Sequence, residues 1–145
     1  MKCLIDDLNK EHLMIDEFMR RLESAVAGTN FLPKLIEMGK EFEHFSSEHL
    51  ANHHLKEEKF LYHWMVEQNK NSDKELIRKM IEDHKVFEQK ALWIIRELEL
   101  ATKLDYKNAA TLGYEVSSFL SKYREHLIRE TSFVFQIAEG LKNQK

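Results

Sequence analysis

The sequence has very few of the residues that cross-link a chain or interrupt its helices. Its 145 residues include one cysteine, one proline and four glycines. A single cysteine, Cys3, excludes an internal disulfide framework and a zinc site built from cysteines. Because proline and glycine are the residues that most often end helices, their scarcity indicates long helices.

Long apolar runs and an excess of positive charge are also missing. No stretch approaches the roughly 20 apolar residues of a membrane-spanning helix. The first ten residues carry acids and no long apolar run, unlike a signal peptide. The formal net charge is −3, so there is no basic footprint for nucleic acid. We therefore expect a cytoplasmic protein that binds neither membranes nor nucleic acid.

What the sequence does contain is a helical pattern of apolar residues. With 43% hydrophobic residues and no linker, residues 1–145 are expected to form one domain with a real core. Apolar residues recur every three or four positions, as in amphipathic helices. Four such helices with short connections fold most simply as an all-α, up-down-up-down four-helix bundle. The predicted helices span 3–27, 32–67, 73–101 and 107–139.

The pattern also predicts which residues cap these helices and which face inward. Ser72 or Asp73 is expected to cap the third helix, and Asp105 the fourth. The inner stripe of the second helix includes His49, Phe60 and Trp64, and that of the fourth includes Phe133 and Ile137.

Charged and imidazole side chains lie inside these apolar stripes. The chain has eight histidines, a high number for its length. Glu57 and Glu130 fall on inner faces, and no lysine or arginine shares their stripes. A buried carboxylate is costly unless it is paired or bound to a metal. Bound cations would account for both acids.

An internal repeat connects the polar residues of the stripes. The motif His53-x-x-x-Glu57 places an imidazole and a carboxylate about one turn apart on one helical face. The motif recurs 73 residues later, and His12 has a counterpart 72 residues later. Two such halves, related by a rough two-fold axis, would surround two metal ions. The predicted metal ligands are His12, His53, Glu57, His84, His126 and Glu130.

The residues leave two local alternatives open. His54 and Glu58 have the same spacing as His53 and Glu57, shifted by one residue, and could be the ligands instead. His49 lies one turn before His53 and could be an additional ligand, a hydrogen-bond donor behind the ligands, or simple packing. His44 and His63 are expected at the surface or rim.

Other classes of four-helix bundle explain fewer of these residues. A ferritin-like di-iron oxidase needs two Glu-x-x-His motifs, but Glu41-x-x-His44 has no second copy in a matching helix. A haem-binding bundle leaves Glu57 and Glu130 unexplained. Iron storage or sensing, or a partner-interaction bundle without redox turnover, remains the alternative function.

The ligand types indicate the metal. Imidazoles with bridging carboxylates and open positions suit iron, with manganese or zinc as alternatives. We expect two Fe ions with an oxo or hydroxo bridge. Two ferrous ions with two carboxylates and a hydroxide would leave a small positive charge, which would attract an anionic or polarisable small ligand.

At these residues the chain resembles the hemerythrin family, whose domain is also called the HHE cation-binding domain. Oxygen-carrying hemerythrins have a further histidine four residues before the third-helix ligand, and His-x-x-x-x-Asp on the last helix. Met80 and Thr131 stand at those places here. The four-His, two-Glu set is instead similar to that of bacterial di-iron proteins that repair iron centres after nitric oxide or peroxide stress, and the chain is also similar to mycobacterial hemerythrin-like proteins that degrade peroxide. The resemblance covers nearly the whole chain and is carried by Glu11-His12, His53 to Tyr62, Asp83-His84-Lys85, and His126 to Glu130.

The resemblance implies iron chemistry with a small ligand and does not imply oxygen transport. The expected ligands are dioxygen (O2), nitric oxide (NO) and hydrogen peroxide (H2O2), in oxidative or nitrosative stress or in sensing. A binding module and a peroxide- or nitric-oxide-handling enzyme both fit, with the ligand entering beside Met80. The sequence does not decide whether the chain forms a homo-oligomer or meets a redox partner.

Overall fold

The chain folds into four long helices, as the apolar periodicity predicts. The structure, a computed structural model, describes residues 2–68, 74–103 and 105–142. Over these ranges it is all-α and contains no strand. The four helices are α1 (Lys2–Val26), α2 (31–68), α3 (Lys74–Leu100) and α4 (109–142).

The helices form an up-down-up-down bundle. Consecutive helices pack against one another, and α1 packs against α4. In the described part of the chain no helix combines the length and the apolar character needed to cross a membrane. The helix ends lie within three residues of the predicted ones. The predicted cap at Ser72 or Asp73 lies outside the described residues, and Asn108, not Asp105, precedes α4.

Helices α2 and α4 contain π-helical turns. Two lie in α2, at Phe45–Leu50 and Glu57–Tyr62, and one lies in α4, at Glu130–Val134. A π turn closes over one residue more than an α turn, so it changes the face on which the following residues lie. The turns that begin at Glu57 and Glu130 occupy equivalent places in the two halves of the repeat. The α-helical parts are Phe31–Glu37, Gly39–His44, Ala51–Lys56 and His63–Gln68 in α2, and Ala109–Arg129 and Phe135–Lys142 in α4.

The π turns overturn part of the predicted core. His49, Phe60 and Phe133 are predicted to face inward, but all three are exposed, Phe60 by 54% and Phe133 by 58%. Trp64 and Ile137 are only partly buried. Because each π turn contains one extra residue, the residues after it that face inward are shifted by about one position. Other side chains therefore occupy the core. These are Leu50, Leu61, Tyr62, Met65, Val134, Phe135 and Ala138.

Two apolar clusters fill the bundle, one towards each end. The cluster beside the α1–α2 and α3–α4 connections includes Leu22, Leu35 and Leu112. The cluster towards the other end includes Leu8 and Met80. Apart from Glu97, near the end of α3, the buried polar side chains lie between the clusters, at about half the height of the bundle.

Candidate metal centre

The six predicted ligands come together in this polar layer. All six are buried, and the most exposed of them, His12, has only 8% of its surface accessible. Every helix contributes, as the two-fold repeat requires. α1 supplies His12, α2 supplies His53 and Glu57, α3 supplies His84, and α4 supplies His126 and Glu130.

One group of donor atoms, which we call the α1–α2 position, combines His12 and His53 with both glutamates. Nε2 of His12 lies 3.5 Å from Oε2 of Glu57 and 3.3 Å from Oε1 of Glu130. Nε2 of His53 lies 3.3 Å from Oε2 of Glu57. One donor atom from each of the four residues lies within 4.8 Å of the others. This spacing lets one ion bind all four.

The second group, the α3–α4 position, combines His84 and His126 with the same two glutamates. Nε2 of His84 lies 3.2 Å from Oε1 of Glu57 and 3.9 Å from Oε2 of Glu130. Nε2 of His126 lies 3.3 Å from Oε1 of Glu130. These donors also lie within 4.8 Å of one another. Because both glutamates belong to both groups, the two positions are adjacent and share their carboxylates.

Most of the central donor atoms lack hydrogen-bond partners, although Nε2 of His84 and Nε2 of His126 lie 3.2 Å from each other. Buried polar atoms in proteins are rarely left unpaired, since each one costs about 1–3 kcal/mol. Among the described residues, five buried side-chain atoms have no partner, and all five belong to the two donor groups. The residues therefore fit bound metal ions. The atoms are Nε2 of His12, Nε2 of His53, both carboxylate oxygens of Glu57, and Oε1 of Glu130.

A comparison with protein families identifies the domain that carries this centre. The family described as "Hemerythrin HHE cation binding domain" matches residues 3–138. The chain belongs to the hemerythrin family. The comparison with curated proteins and the comparison with solved structures each found no match. Membership of the four-His, two-Glu bacterial subgroup stays a prediction.

The hemerythrin family and the buried donor groups together fit a binuclear metal site. Two carboxylates shared by four imidazoles are the arrangement expected from the repeat. The identity of the metal and the oxo or hydroxo bridge stay predictions.

In this hemerythrin-family chain, two imidazoles are oriented by acids that directly precede the other two histidines. Nδ1 of His53 donates a hydrogen bond to Oε1 of Glu11 (2.7 Å), and Nδ1 of His126 donates to Oδ2 of Asp83 (3.2 Å). The bond with His53 lowers the pKa of Glu11 to about 2. Burial raises the pKa of Asp83, but bonds with His126 and a lysine outweigh it and bring the pKa to about 2. Both acids are therefore ionised acceptors that keep the proton on Nδ1 and turn Nε2 inward.

The other two imidazoles are oriented by the residues that follow the two glutamates. Nδ1 of His84 donates to Oε2 of Glu58 (2.7 Å), and Nδ1 of His12 lies 3.3 Å from the hydroxyl oxygen of Thr131. His54 stacks on His84 with ring centroids 3.9 Å apart. The two residues of the alternative ligand pair therefore lie outside the donor groups and contact His84: His54 by stacking and Glu58 by a hydrogen bond.

Two buried tyrosines also lie beside the centre. The hydroxyl of Tyr62 donates to Oε2 of Glu130, and its ring stacks on His84. The hydroxyl of Tyr123 lies 2.7 Å from Nε2 of His54. Burial raises the pKa of both tyrosines well above its usual value, so both keep their protons.

Without ions, the centre balances its acids with protons on the imidazoles. Burial lowers the pKa of His53 and His84, but the facing carboxylates more than reverse this, to about 9 and about 11. The pKa values of the other two ligand histidines rise as well. Burial and Glu130 raise the pKa of Glu57, but the imidazoles of His53 and His12 leave it lowered. Burial also raises the pKa of Glu130, but a bond with Glu57 and bonds with the surrounding imidazoles bring it well below its usual value. Metal ions must therefore displace protons when they bind.

The remaining histidines lie away from the centre. His49, considered as an additional ligand one turn before His53, is exposed, because the π turn at Phe45–Leu50 moves it off the inner face. Its ring packs against that of His44, with centroids 5.6 Å apart. His44 and His63 are exposed, as predicted.

Proposed function

We propose that this chain holds two iron ions and uses them to bind or process a small ligand: O2, NO or H2O2. The observation that carries the proposal is that Glu57 and Glu130 are shared by both donor groups. Each position then receives two imidazole nitrogens and two carboxylate oxygens. Non-haem iron centres combine these ligands with open positions, at which small molecules bind.

The surroundings of the centre favour a small, weakly polar ligand. Leu8 and Met80 lie one turn before His12 and His84, at equivalent places in the repeat, and both are completely buried. They belong to the same apolar cluster. Since an apolar layer penalises charged or strongly polar groups, it favours O2 and NO over H2O2, which needs hydrogen-bond partners, and over anions. We place the ligand at the α3–α4 position, on the side of Met80.

Loading with ferrous iron under anaerobic conditions tests the metal centre. We expect the wild type to bind two ions per chain by elemental analysis. Glu57→Gln removes one shared charge while keeping the shape of the side chain, so it should lose at least one ion. Glu48→Gln, at an exposed position of the same helix, is the matched control and should load fully. Full loading of Glu57→Gln, or fewer than two ions in the wild type, would contradict the proposal.

The loaded protein then distinguishes binding from turnover. Consumption of H2O2 with evolution of O2 identifies an enzyme that disproportionates peroxide, because one H2O2 molecule is oxidised and another reduced without a redox partner. Loss of NO over many turnovers identifies an enzyme that reduces NO and needs a redox partner to supply the electrons. A reversible change in the near-ultraviolet and visible spectrum without consumption identifies a binding or sensing module. If none of the three molecules changes the spectrum or is consumed, the proposal fails and iron storage or iron sensing for a partner protein is favoured.

A further inference from the structure

The hydrogen bonds behind the imidazoles follow the two-fold repeat. Glu11, which precedes His12, accepts from the imidazole of the neighbouring helix, and Asp83, which precedes His84, does the same in the second half. Both partners are carboxylates, and each is also paired with a lysine. This pair of contacts therefore has the same chemistry on both sides of the centre.

The second pair of contacts breaks the symmetry. Positions 58 and 131 are equivalent in the repeat, and each faces Nδ1 of a histidine on the next helix. Glu58 accepts from His84 at 2.7 Å, whereas Thr131 lies 3.3 Å from His12. When an imidazole binds a metal through Nε2, its Nδ1 keeps the proton and must donate it. One imidazole therefore donates to a carboxylate and the other to a neutral hydroxyl.

This difference bears on how strongly each imidazole binds an ion. An anionic acceptor at Nδ1 makes the ring a stronger donor at Nε2 and fixes its orientation, and loss of such a partner typically costs about 10- to 100-fold in metal affinity. His84 also stacks on two rings, those of His54 and Tyr62, with centroids 3.9 and 5.8 Å away, whereas among the described residues His12 stacks on the ring of Phe135 alone, at 5.1 Å. The bond from Tyr62 to Glu130 acts on both positions, since that glutamate is shared.

We propose that the two ions bind with unequal affinity and in a fixed order, the α3–α4 position first, and that residues 58 and 131 set this order. The proposal rests on the two-metal centre described above. The α3–α4 ion is held firmly, and the α1–α2 ion, on the side of Thr131, is the one that exchanges. The order is a property of this chain's own residues and does not depend on which small ligand the centre uses.

Cobalt(II), a spectroscopic probe, tests the order on the metal-free 145-residue chain. We expect calorimetric titration of the wild type to show two steps whose dissociation constants differ by about 10- to 100-fold. With one equivalent added, NMR spectra of protein labelled with 15N-histidine should show the large contact shifts of directly bound imidazoles for His84 and His126, and only smaller through-space shifts for His12.

Exchanging the two residues should reverse the order. In the double variant Glu58→Thr/Thr131→Glu, the first equivalent should give the large contact shifts to His12 and only smaller through-space shifts to His84. Thr131→Glu alone, a substitution at an exposed position, should tighten the second step by about 10-fold or more. Ser132→Glu adds the same charge one residue further along, also at an exposed position, and should leave both steps unchanged.

The outcomes separate this inference from the proposed function. Two equal affinities in the wild type, an unchanged order in the double variant, or an equal effect of Thr131→Glu and Ser132→Glu would overturn the inference alone. If the wild type binds no cobalt and no iron, the two-metal centre is absent and both proposals fail. A gain of affinity in Thr131→Glu is also an effect that a general loss of structure does not produce.

Discussion

In the metal-free protein, the free energy of unfolding should fall as the pH rises. In the metal-free protein, burial lowers the pKa of His53, but Glu57 and Glu11 raise it to about 9, above the ordinary value of 6.5. A group whose pKa is higher in the folded state stabilises the fold fully below the unfolded pKa, and this contribution is lost as the pH rises towards the folded pKa. At about 1.4 kcal/mol per pKa unit, the difference between 6.5 and about 9 is worth about 3 kcal/mol.

A second imidazole adds to this dependence over the same range. The pKa of His84 is about 11, so its stabilisation also declines from pH 6.5 upwards. The pKa values of Glu57 and Glu130 are lowered, and these acids stay ionised throughout. Bound ions reverse the sign, because they need neutral imidazoles and compete with protons. The loaded protein should therefore gain stability between pH 6 and 9, where the metal-free protein loses it.

Urea unfolding at several pH values between 6 and 9 measures both slopes, with chelator for the metal-free protein and with cobalt(II) under anaerobic conditions for the loaded one. Between pH 6 and 9, the unfolding free energy of metal-free His53→Leu should fall by about 3 kcal/mol less than that of the metal-free wild type. His63→Leu, which removes an exposed histidine, should keep the wild-type slope. The reasoning is refuted if the metal-free wild type gains stability towards pH 9, or if His53→Leu and the wild type have the same slope.

Three further predictions concern packing and ion binding. Tyr62→Phe removes the donor to Oε2 of Glu130 and should lower the unfolding free energy of the metal-free protein by about 1–3 kcal/mol in urea; no change would mean that the hydroxyl bond contributes nothing. Gly140→Ala should stabilise the protein by about 0.5–1 kcal/mol in the same assay, because a Cβ there meets nothing within 4 Å. Gly113→Ala should bring no gain in stability, because its Cβ would lie 3.0 Å from the ring of Phe31. Ions at about 100 times their dissociation constant should raise stability by about 2.7 kcal/mol per position, and chelator should abolish the gain in thermal unfolding.

The number of helices and their approximate ends could be predicted from the sequence because so little interrupts the apolar pattern. Between residues 2 and 68 the one proline lies in the first turn of α2, where it is tolerated. The short connection from Ala27 to Asn30 contains a glycine and ends α1 where expected. These local signals agree with the packing, so the bundle follows from them.

The residues of α2 and α4 that face inward could be predicted only in part, because the prediction assumes a constant α-helical period. Each π turn changes that period locally, and nothing in the residue types of Glu57–Tyr62 marks it in advance. Phe60 and Phe133 satisfied the expected α-helical spacing and yet lie at the surface. The error begins just after the central glutamates and leaves the six candidate ligands on the inner faces of their helices.

The six candidate ligands could be predicted because the repeat selects them from a larger number of histidines and acids. The partners behind them could have been found partly in the same way. An acid precedes the first histidine of each half, as Glu11 and Asp83, and this recurrence carried a usable signal. Thr131 was marked only by the resemblance, as the residue at the place of the last-helix aspartate, and its contact with His12 depends on the wide turn in which it lies.

The contacts at Nδ1 also have a mechanical consequence. Glu11 joins α1 to α2, Glu58 joins α2 to α3, Asp83 joins α3 to α4, and Thr131 joins α4 back to α1. The four hydrogen bonds form a closed ring around the middle of the bundle, with one bond between each pair of neighbouring helices. An ion bound at the centre fixes the imidazoles that donate these bonds and so strengthens the contacts between all four helices. Amide hydrogens near the middle of the four helices should therefore all exchange more slowly when the ions are bound.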